Sequence, residues 1–352
     1  MRALIVDKSA LKNNIAQVKQ RAGKAVIYAV LTGDGYGAGT VELARALRAD
    51  GISHFAVTEP ADAALLRHSG FEQEHILMLR SITGREELER LMDLNVIFTV
   101  GSYETAMALN SVAEGRATIA EAHVQIDTGM GFGGFLSSEP DKLLSVYQYL
   151  PNVAISGTYT QFHAAGGDIK PQLDEFLSTV EKIRSAGFDT GILHAAGSSV
   201  LMSGHAATLD GVRVGSAFLG RCRRTKGDEL QTVGWGEASL DSVRWLPKGH
   251  TVGNEVLVTL TKPTRVAVLP VGHQNGMGVF HSRQAGLWAA LKAWWEGRHM
   301  TVRVNGQKAR VLGRPGAVET VVDVTDIKCA AGDVAAFSLD PMFARGLERE
   351  YR

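Results

Sequence analysis

Cysteine is scarce in this sequence, and the two residues present, Cys222 and Cys329, lie far apart in the chain. Two cysteines cannot build a disulfide framework, and their spacing is not that of a metal-binding motif. The histidines are also scattered without the short spacing of metal ligands. We therefore predict two free thiols in a reducing cytoplasm and no metal site.

The sequence also lacks net charge and long apolar runs. Lys and Arg together number 37, as do Asp and Glu, so no charge excess attracts nucleic acid or a membrane surface. No stretch approaches the ~20 apolar residues of a membrane-spanning helix. The N-terminus has only a short apolar run before Asp7, which offers no signal-peptide core. We expect a cytoplasmic protein that binds a small molecule, and neither nucleic acid nor a membrane.

Short β-rich runs alternate with amphipathic helical patterns between residue 10 and about residue 220. This alternation is typical of β–α–β units and a parallel sheet. Eight units with an opening helix favour a closed barrel over an open sheet. The predicted fold class is therefore α/β, with a (β/α)8 TIM-type barrel. The candidate strands are 26–31, 54–58, 76–79, 96–100, 123–126, 154–160, 192–195 and 212–215.

The pattern changes at RCRRTKGDE (221–229), which reads as a charged loop. Short β runs separated by turns follow, and 301–314 carries the Asn-Gly signal of a β-hairpin. One helical pattern, at 284–297, interrupts this region. Since a chain of 352 residues favours two domains, we predict a barrel over 1–228 and a mainly β domain over 229–352.

Glycine and serine follow several of the predicted barrel strands, at the end where such barrels carry their functional side chains. The first strand leads into a glycine-rich segment (32–37), the seventh into 197–199, and the eighth into Gly215 and Ser216. Glycines let backbone N–H groups approach an anion, and serine hydroxyls add donors. These residues are consistent with a phosphate-binding site.

Six segments resemble motifs of the alanine racemase family, and they occur in the family's order over nearly the whole chain. The barrel contributes four of them and the β region two. They are AVLTGDGYGAG (29–39), IDTGMG (126–131), HAAGSS (194–199), RVGSAFLG (213–220), VGHQNG (271–276) and VLGRPG (311–316).

The resemblance implies pyridoxal 5′-phosphate (PLP) as cofactor. In that family two bases on opposite faces of the cofactor move the α-proton of the amino acid, and PLP acts as the electron sink. Carried over to this chain, the resemblance implies that Tyr36, Ser198, Gly215 and Ser216 contact the phosphate and that Arg213 faces the pyridine nitrogen. It also implies a head-to-tail homodimer in which each site receives residues from the partner's β domain.

Both positions of the catalytic bases depart from the family. Thr32 stands where the family has the lysine that forms a Schiff base with PLP, and a hydroxyl cannot form one. Asn254 stands where the family has the tyrosine base, and an amide has no useful pKa for proton abstraction. The resemblance therefore implies that any PLP is bound non-covalently and that racemisation is absent or weak.

Further departures occur around the same site. Phe132 replaces an arginine of the family, Gly197 an asparagine, Gln161 a histidine and His273 a tyrosine. PGAVE (315–319) replaces a loop that carries a methionine in the family. So many changes in one pocket, with the scaffold motifs intact, favour repurposing, either natural or engineered.

Three hypotheses are open at this point. The first is a family member that binds PLP non-covalently and racemises weakly or not at all. The second is a repurposed barrel pocket that acts on a small hydrophobic molecule without PLP, with His163, His273 or Glu319 as acid/base groups. The third is a non-catalytic dimeric binding protein.

Overall fold

The computed structural model describes residues 1–163, 168–204, 207–222, 229–253, 257–279 and 299–352. These residues form two compact units. One unit is Ser9–Thr232, and the other is Met1–Lys8 together with Val233–Arg352. The sequence-based boundary at residue 228 assigns the first eight residues to the barrel. The structure groups them with the β unit, because an N-terminal strand, β1 (Arg2–Val6), pairs with strands of that unit.

The first unit is a barrel of eight parallel strands, as predicted. All eight candidate strands are present, with ends that differ by a few residues from the predicted ones. A short additional strand pairs with β6. The strands are β2 (Val26–Val30), β3 (His54–Val57), β4 (His75–Met78), β5 (Phe98–Val100), β6 (Ala120–Asp127), β7 (Phe135–Leu136), β8 (Val153–Tyr159), β9 (Ile192–Gly197) and β10 (Gly211–Val214).

The barrel strands follow the order β4-β3-β2-β10-β9-β8-β6-β5. A parallel bridge between Leu77 and Ile97 joins the two ends of this order, so the barrel closes. Because all eight strands are parallel, their carboxyl ends lie at one mouth of the barrel, and the loops after β2, β9 and β10 come together there.

Helices alternate with the barrel strands and bury one face each. In α3, for example, Val41, Leu43, Ala44 and Leu47 are buried, which is the spacing of a single helical face. The helical segments are α1 (Lys8–Ala22), α2 (Thr32–Tyr36), α3 (Thr40–Ala49), α4 (Pro60–His68), α5 (Arg85–Asp93), α6 (Tyr103–Gly115), α7 (Pro140–Tyr149), α8 (Lys170–Ser185) and α9 (Ser198–Met202).

The second unit is mainly β and is built on a nine-stranded sheet of order β12-β15-β18-β17-β16-β19-β11-β1-β20. The predicted hairpin is confirmed by β16 and β17, with Asn305 and Gly306 at positive φ in its turn. The strands are β11 (Trp235–Ser239), β12 (Ser242–Leu246), β13 (Thr251–Val252), β14 (Val258–Thr259), β15 (Thr264–Leu269), β16 (Thr301–Val304), β17 (Gln307–Val311), β18 (Thr320–Asp323), β19 (Val334–Phe337) and β20 (Glu348–Tyr351).

The helical pattern at 284–297 lies outside the described residues. Within the described part of the chain, no helix is both long and apolar enough to cross a membrane. Cys222 and Cys329 are both buried and are not joined in a disulfide, as the sequence predicts.

Candidate active site

One cavity at the mouth of the barrel brings together all five residues that the resemblance assigns to the cofactor. Its volume is about 250 Å³, near the lower end for ligand sites. Its walls come from the ends of β2, β4, β8, β9 and β10 and from the segments that follow them. The lining residues are Val30, Tyr36, Leu79, Gln161, Phe162, Gly197, Ser198, Ser199, Val200, Arg213, Gly215 and Ser216.

Tyr36 reaches this cavity from an unusual backbone turn. Residues 33–36 have φ values of 64°, 56°, 62° and 55°, so four consecutive residues are left-handed. Glycine adopts this conformation freely, but Asp34 and Tyr36 carry a Cβ and pay roughly 1 kcal/mol or more each. Strain of this kind persists only where surrounding contacts hold it, and it is concentrated at functional sites.

The Tyr36 phenol lies directly against the backbone of Gly215. A Cβ added at Gly215 would lie 2.3 Å from Cε2 of the tyrosine ring, so only glycine permits this approach. The Tyr36 hydroxyl makes no hydrogen bond with any described residue, and burial raises its pKa. The phenol therefore stays protonated at neutral pH and can donate to a ligand.

Ser198 connects the segment after β9 to the segment after β10. Its Oγ accepts hydrogen bonds from the backbone N–H groups of Gly215 (3.0 Å) and Ala217 (3.3 Å). Since both bonds are accepted, the Ser198 hydroxyl hydrogen remains to be donated. With the Ser216 hydroxyl and the first N–H groups of α9, which have no partner inside the helix, these donors suit an anionic oxygen group.

Arg213 is a buried cation on the cavity wall, with 4% of its surface exposed. Its Nη1 donates to His194 Nδ1 (2.8 Å) and to the His194 carbonyl (3.0 Å). Its Nη2 donates to the Thr160 carbonyl (2.6 Å) and to Gln161 Oε1 (2.8 Å). Burial lowers the Arg213 pKa to about 10, so the guanidinium stays charged at neutral pH.

All four acceptors of Arg213 are neutral, and no carboxylate among the described residues forms an ion pair with it. A buried cation without a counter-ion is costly. The cavity is therefore electrically suited to a ligand that brings negative charge. The remaining Arg213 donor, Nε, makes no hydrogen bond with the described residues.

Behind Arg213, two buried histidines continue the hydrogen-bonded chain. His194 Nε2 lies 2.8 Å from His123 Nδ1. Because arginine only donates, His194 Nδ1 must accept, so neutral His194 carries its hydrogen on Nε2 and donates it to His123. Burial, reinforced by the Arg213 charge, lowers the His123 pKa to about 3 and the His194 pKa well below its usual value. Both rings are therefore neutral at pH 7.

Because His123 and His194 are buried in the neutral form, we expect the protein to lose stability in mild acid. The unfolded chain binds protons at these histidines below about pH 6.5, whereas the folded chain takes up a proton at His123 only near pH 3. The free energy of unfolding should therefore be highest above pH 6.5 and should fall as the pH decreases toward 3. At pH 5, His123 alone accounts for a loss of about 2 kcal/mol.

Urea unfolding between pH 8 and pH 4.5 checks this prediction. His123→Gln supplies an oxygen acceptor to His194 but does not titrate, so its pH dependence should be shallower than that of the unmodified protein. Equal slopes in the two proteins would contradict the assignment of the acid loss to His123.

Thr32 is not among the lining residues of the cavity. Its Oγ1 lies 3.3 Å from Thr58 Oγ1, which pairs two hydroxyls at the ends of neighbouring strands. None of the described residues that line the cavity is a lysine. The described part of the cavity thus presents a cation and hydrogen-bond donors that suit a phosphate group, but no lysine amine that could bond to an aldehyde.

Of the three acid/base candidates, His163 belongs to the barrel unit, and His273 and Glu319 belong to the β unit. His163 follows β8, and its backbone N–H donates to Gln172 Oε1; it is not a lining residue. In the β unit, His273 Nδ1 lies 3.1 Å from the Met277 carbonyl oxygen, and Glu319 is exposed in the loop before β18. Asn254 and part of the charged loop (223–228) lie outside the described residues.

A carboxylate acts as a base near neutral pH when apolar side chains exclude water from it, but the apolar side chains beside Glu319 in sequence are exposed. Phe132, after β6, is 77% exposed, and Ala317 and Val318 are exposed beside Glu319. Within each unit these side chains do not exclude water. The structure therefore gives no support to a desolvated Glu319 carboxylate.

Gln161 and His194 are the site residues whose roles were missed. Gln161 was noted only as a departure from the family, but its side chain orients Arg213. The signal for His194 was its place in HAAGSS, on the strand that leads to Ser198. No group of three or more metal-binding side chains is present in the described residues.

Comparison with known proteins identifies the family. The family model for the alanine racemase N-terminal domain matches residues 6–222, and the model for the C-terminal domain matches residues 236–340. These two domains and the cavity define an alanine racemase-type scaffold, which belongs to a class of PLP-dependent isomerases. The chain belongs to the alanine racemase family.

Individual relatives agree with this assignment. An alanine racemase of Carboxydothermus hydrogenoformans is 30% identical over 279 residues, covering 77% of this chain and 75% of the relative. An alanine racemase of Halothermothrix orenii is 27% identical and covers 92% of this chain and 83% of the relative. The crystal structure of an alanine racemase from Streptomyces lavendulae superposes with a TM-score of 0.84 at 21% identity, over 100% of this chain and 97% of that one.

Proposed function

We propose that the barrel cavity binds PLP without a covalent bond and that the chain racemises alanine slowly or not at all. The observation that supports this most strongly is the meeting of Tyr36, Ser198, Arg213, Gly215 and Ser216 in one cavity, with no lysine among its described lining residues. The cavity fits a phosphorylated ligand because it offers hydroxyl donors and a buried cation that forms no ion pair with any described carboxylate.

Different residues of the cavity would bind different groups of PLP. The hydroxyls of Tyr36, Ser198 and Ser216 would donate to phosphate oxygens. Arg213 can only donate hydrogen bonds. It would therefore donate to a pyridine nitrogen that is unprotonated. When bound, PLP supplies the electron sink for a carbanion at the amino-acid Cα.

Proton transfer is the step for which this chain is poorly equipped. The Thr32 hydroxyl is paired with the Thr58 hydroxyl, and an alcohol without an activating partner is too weak a base near neutral pH. The second base of the family is a tyrosine, and the amide of Asn254 at that position cannot replace it as a base. Positioned bases contribute about 10²–10⁴-fold each, so we expect their absence to make racemisation slow or undetectable.

An absorbance titration of the purified protein with PLP tests this proposal. We expect saturable binding with the spectrum of the free aldehyde, and D-alanine at background level in a chiral assay after L-alanine is added. Ser198→Ala should weaken binding by about tenfold, because a bond to a charged group contributes ~1.5 kcal/mol or more.

Ser203→Ala is the matched control for Ser198→Ala. Ser203 lies just after α9, and its Oγ donates to the Val200 carbonyl, away from the cavity lining. The Ser203→Ala variant should bind PLP with the same affinity as the unmodified protein. Rapid racemisation by the unmodified protein would contradict the proposal, and an absence of PLP binding would favour the repurposed pocket instead. The head-to-tail homodimer and the cytoplasmic location stay predictions.

A further inference from the structure

Asp34 links the left-handed turn at residues 33–36 to the start of α3 by hydrogen bonds. The Asp34 carbonyl accepts hydrogen bonds from the N–H groups of Gly37 (3.0 Å) and Gly39 (2.9 Å). Its carboxylate Oδ1 accepts from the Thr40 N–H (3.0 Å) and lies 3.4 Å from the Thr40 hydroxyl. Asp34 thus ties the strained turn to the first residue of the helix.

The helix α3, whose first residue donates to Asp34, is firmly packed. Thr40 is 1% exposed, and the buried face of α3 anchors it to the barrel. The carboxylate also sits at the positive end of the helix dipole, where an anion is favoured. Asp and Asn tolerate left-handed backbone better than other side-chain-bearing residues, so an aspartate at this position satisfies both requirements.

We propose that Asp34 is a positioning residue, which holds the Tyr36 phenol against Gly215 so that its hydroxyl faces the phosphate group. Asp34 is not a lining residue of the cavity; it acts by fixing the turn that ends at Tyr36. The inference rests on the proposed function, because it assigns a role in binding the phosphate of PLP.

A double-mutant cycle on PLP affinity tests this role. Tyr36→Phe removes the hydroxyl and should raise the Kd about tenfold, and Asp34→Ala should raise it by a similar factor. If Asp34 acts through Tyr36, the double variant should also be weaker by about tenfold, not by about a hundredfold. Asp34→Asn keeps an oxygen acceptor and should restore most of the affinity.

Ser102→Ala is the matched control for the loss of a helix cap. Ser102 Oγ accepts from the Thr105 N–H at the start of α6, in the same barrel but outside the cavity lining. This variant should lower the melting temperature as Asp34→Ala does, with an unchanged Kd for PLP. Additive effects in the cycle, or an unchanged Kd in Asp34→Ala, would overturn the positioning role.

A second measurement separates this inference from the proposed function. Acetylation of Tyr36 by N-acetylimidazole, mapped by mass spectrometry, reports the position of the phenol without any cofactor. Asp34→Ala should be acetylated at Tyr36 faster than the unmodified protein and Ser102→Ala. If PLP fails to bind the unmodified protein, the proposed function fails, while equal acetylation rates would overturn the role of Asp34 independently.

Discussion

Arg213→Lys is expected to remove detectable PLP binding and to lower the free energy of unfolding by about 3 kcal/mol or more. The guanidinium joins His194 on one side to Thr160 and Gln161 on the other. A single ammonium group cannot reach both sides, so buried acceptors lose their partners even though the charge is retained. Urea unfolding and a PLP titration on the same variant measure the two effects.

Arg67→Lys provides a matched control in the same barrel. Arg67 also joins several backbone carbonyls, those of Leu94, Glu74 and Asn95, and it is not a lining residue of the cavity. We expect Arg67→Lys to lose stability but to keep its affinity for PLP. Arg213→Lys with normal affinity would show that Arg213 has no part in the ligand site.

Thr32→Lys is expected to bind PLP covalently, in a form that borohydride makes permanent at residue 32. Racemisation should stay weak in this variant, because only one of the two bases is restored. Adding Asn254→Tyr should then raise the rate of D-alanine formation by about 10²–10⁴-fold, the usual contribution of a positioned base. Peptide mapping by mass spectrometry locates the label, and a chiral assay measures the rate.

The control for covalent labelling of Thr32→Lys is the variant Thr118→Lys. Thr118 is exposed in the segment before β6, at the opposite end of that strand from the cavity. Labelling of position 118 should remain at the level of the chain's surface lysines. Equal labelling at positions 32 and 118 would mean that residue 32 has no special access to bound PLP.

The barrel and the position of its cavity could be predicted because both follow from the order of elements along the chain. Once eight parallel strands close a barrel, the residues after each strand must meet at one mouth. This is why the segments that carry Tyr36, Ser198 and Ser216, widely separated in sequence, are expected to meet, whereas the role of Tyr36 in binding phosphate is implied only by the resemblance to the alanine racemase family.

The chain from Arg213 to His123 could not be predicted in the same way. His194 and His123 lie on β9 and β6, which are separated by β8 in the sheet order, so their contact depends on how side chains fill the barrel interior. The sequence pattern of alternating strands does not determine that packing. Their low pKa values depend on the same packing and were likewise not predicted.

Two local features were also missed for physical reasons. The strand β1 is short, and its partners β11 and β20 are more than 200 residues away in the sequence. The glycine-rich segment after β2 indicated a turn, but positive φ at Asp34 and Tyr36 depends on the hydrogen bonds that Asp34 makes to the start of α3.

Mass spectrometry of one PLP-saturated sample, under native and then denaturing conditions, tests non-covalent cofactor binding most directly. The native spectrum should show one PLP per chain. After borohydride treatment and denaturation, peptide mapping should find no PLP adduct on the segments that line the cavity, because Thr32 cannot form a reducible bond, and only background labelling on surface lysines. Absence of the native adduct with PLP in excess, or an adduct at the cavity that survives denaturation, would contradict non-covalent binding of PLP by this chain.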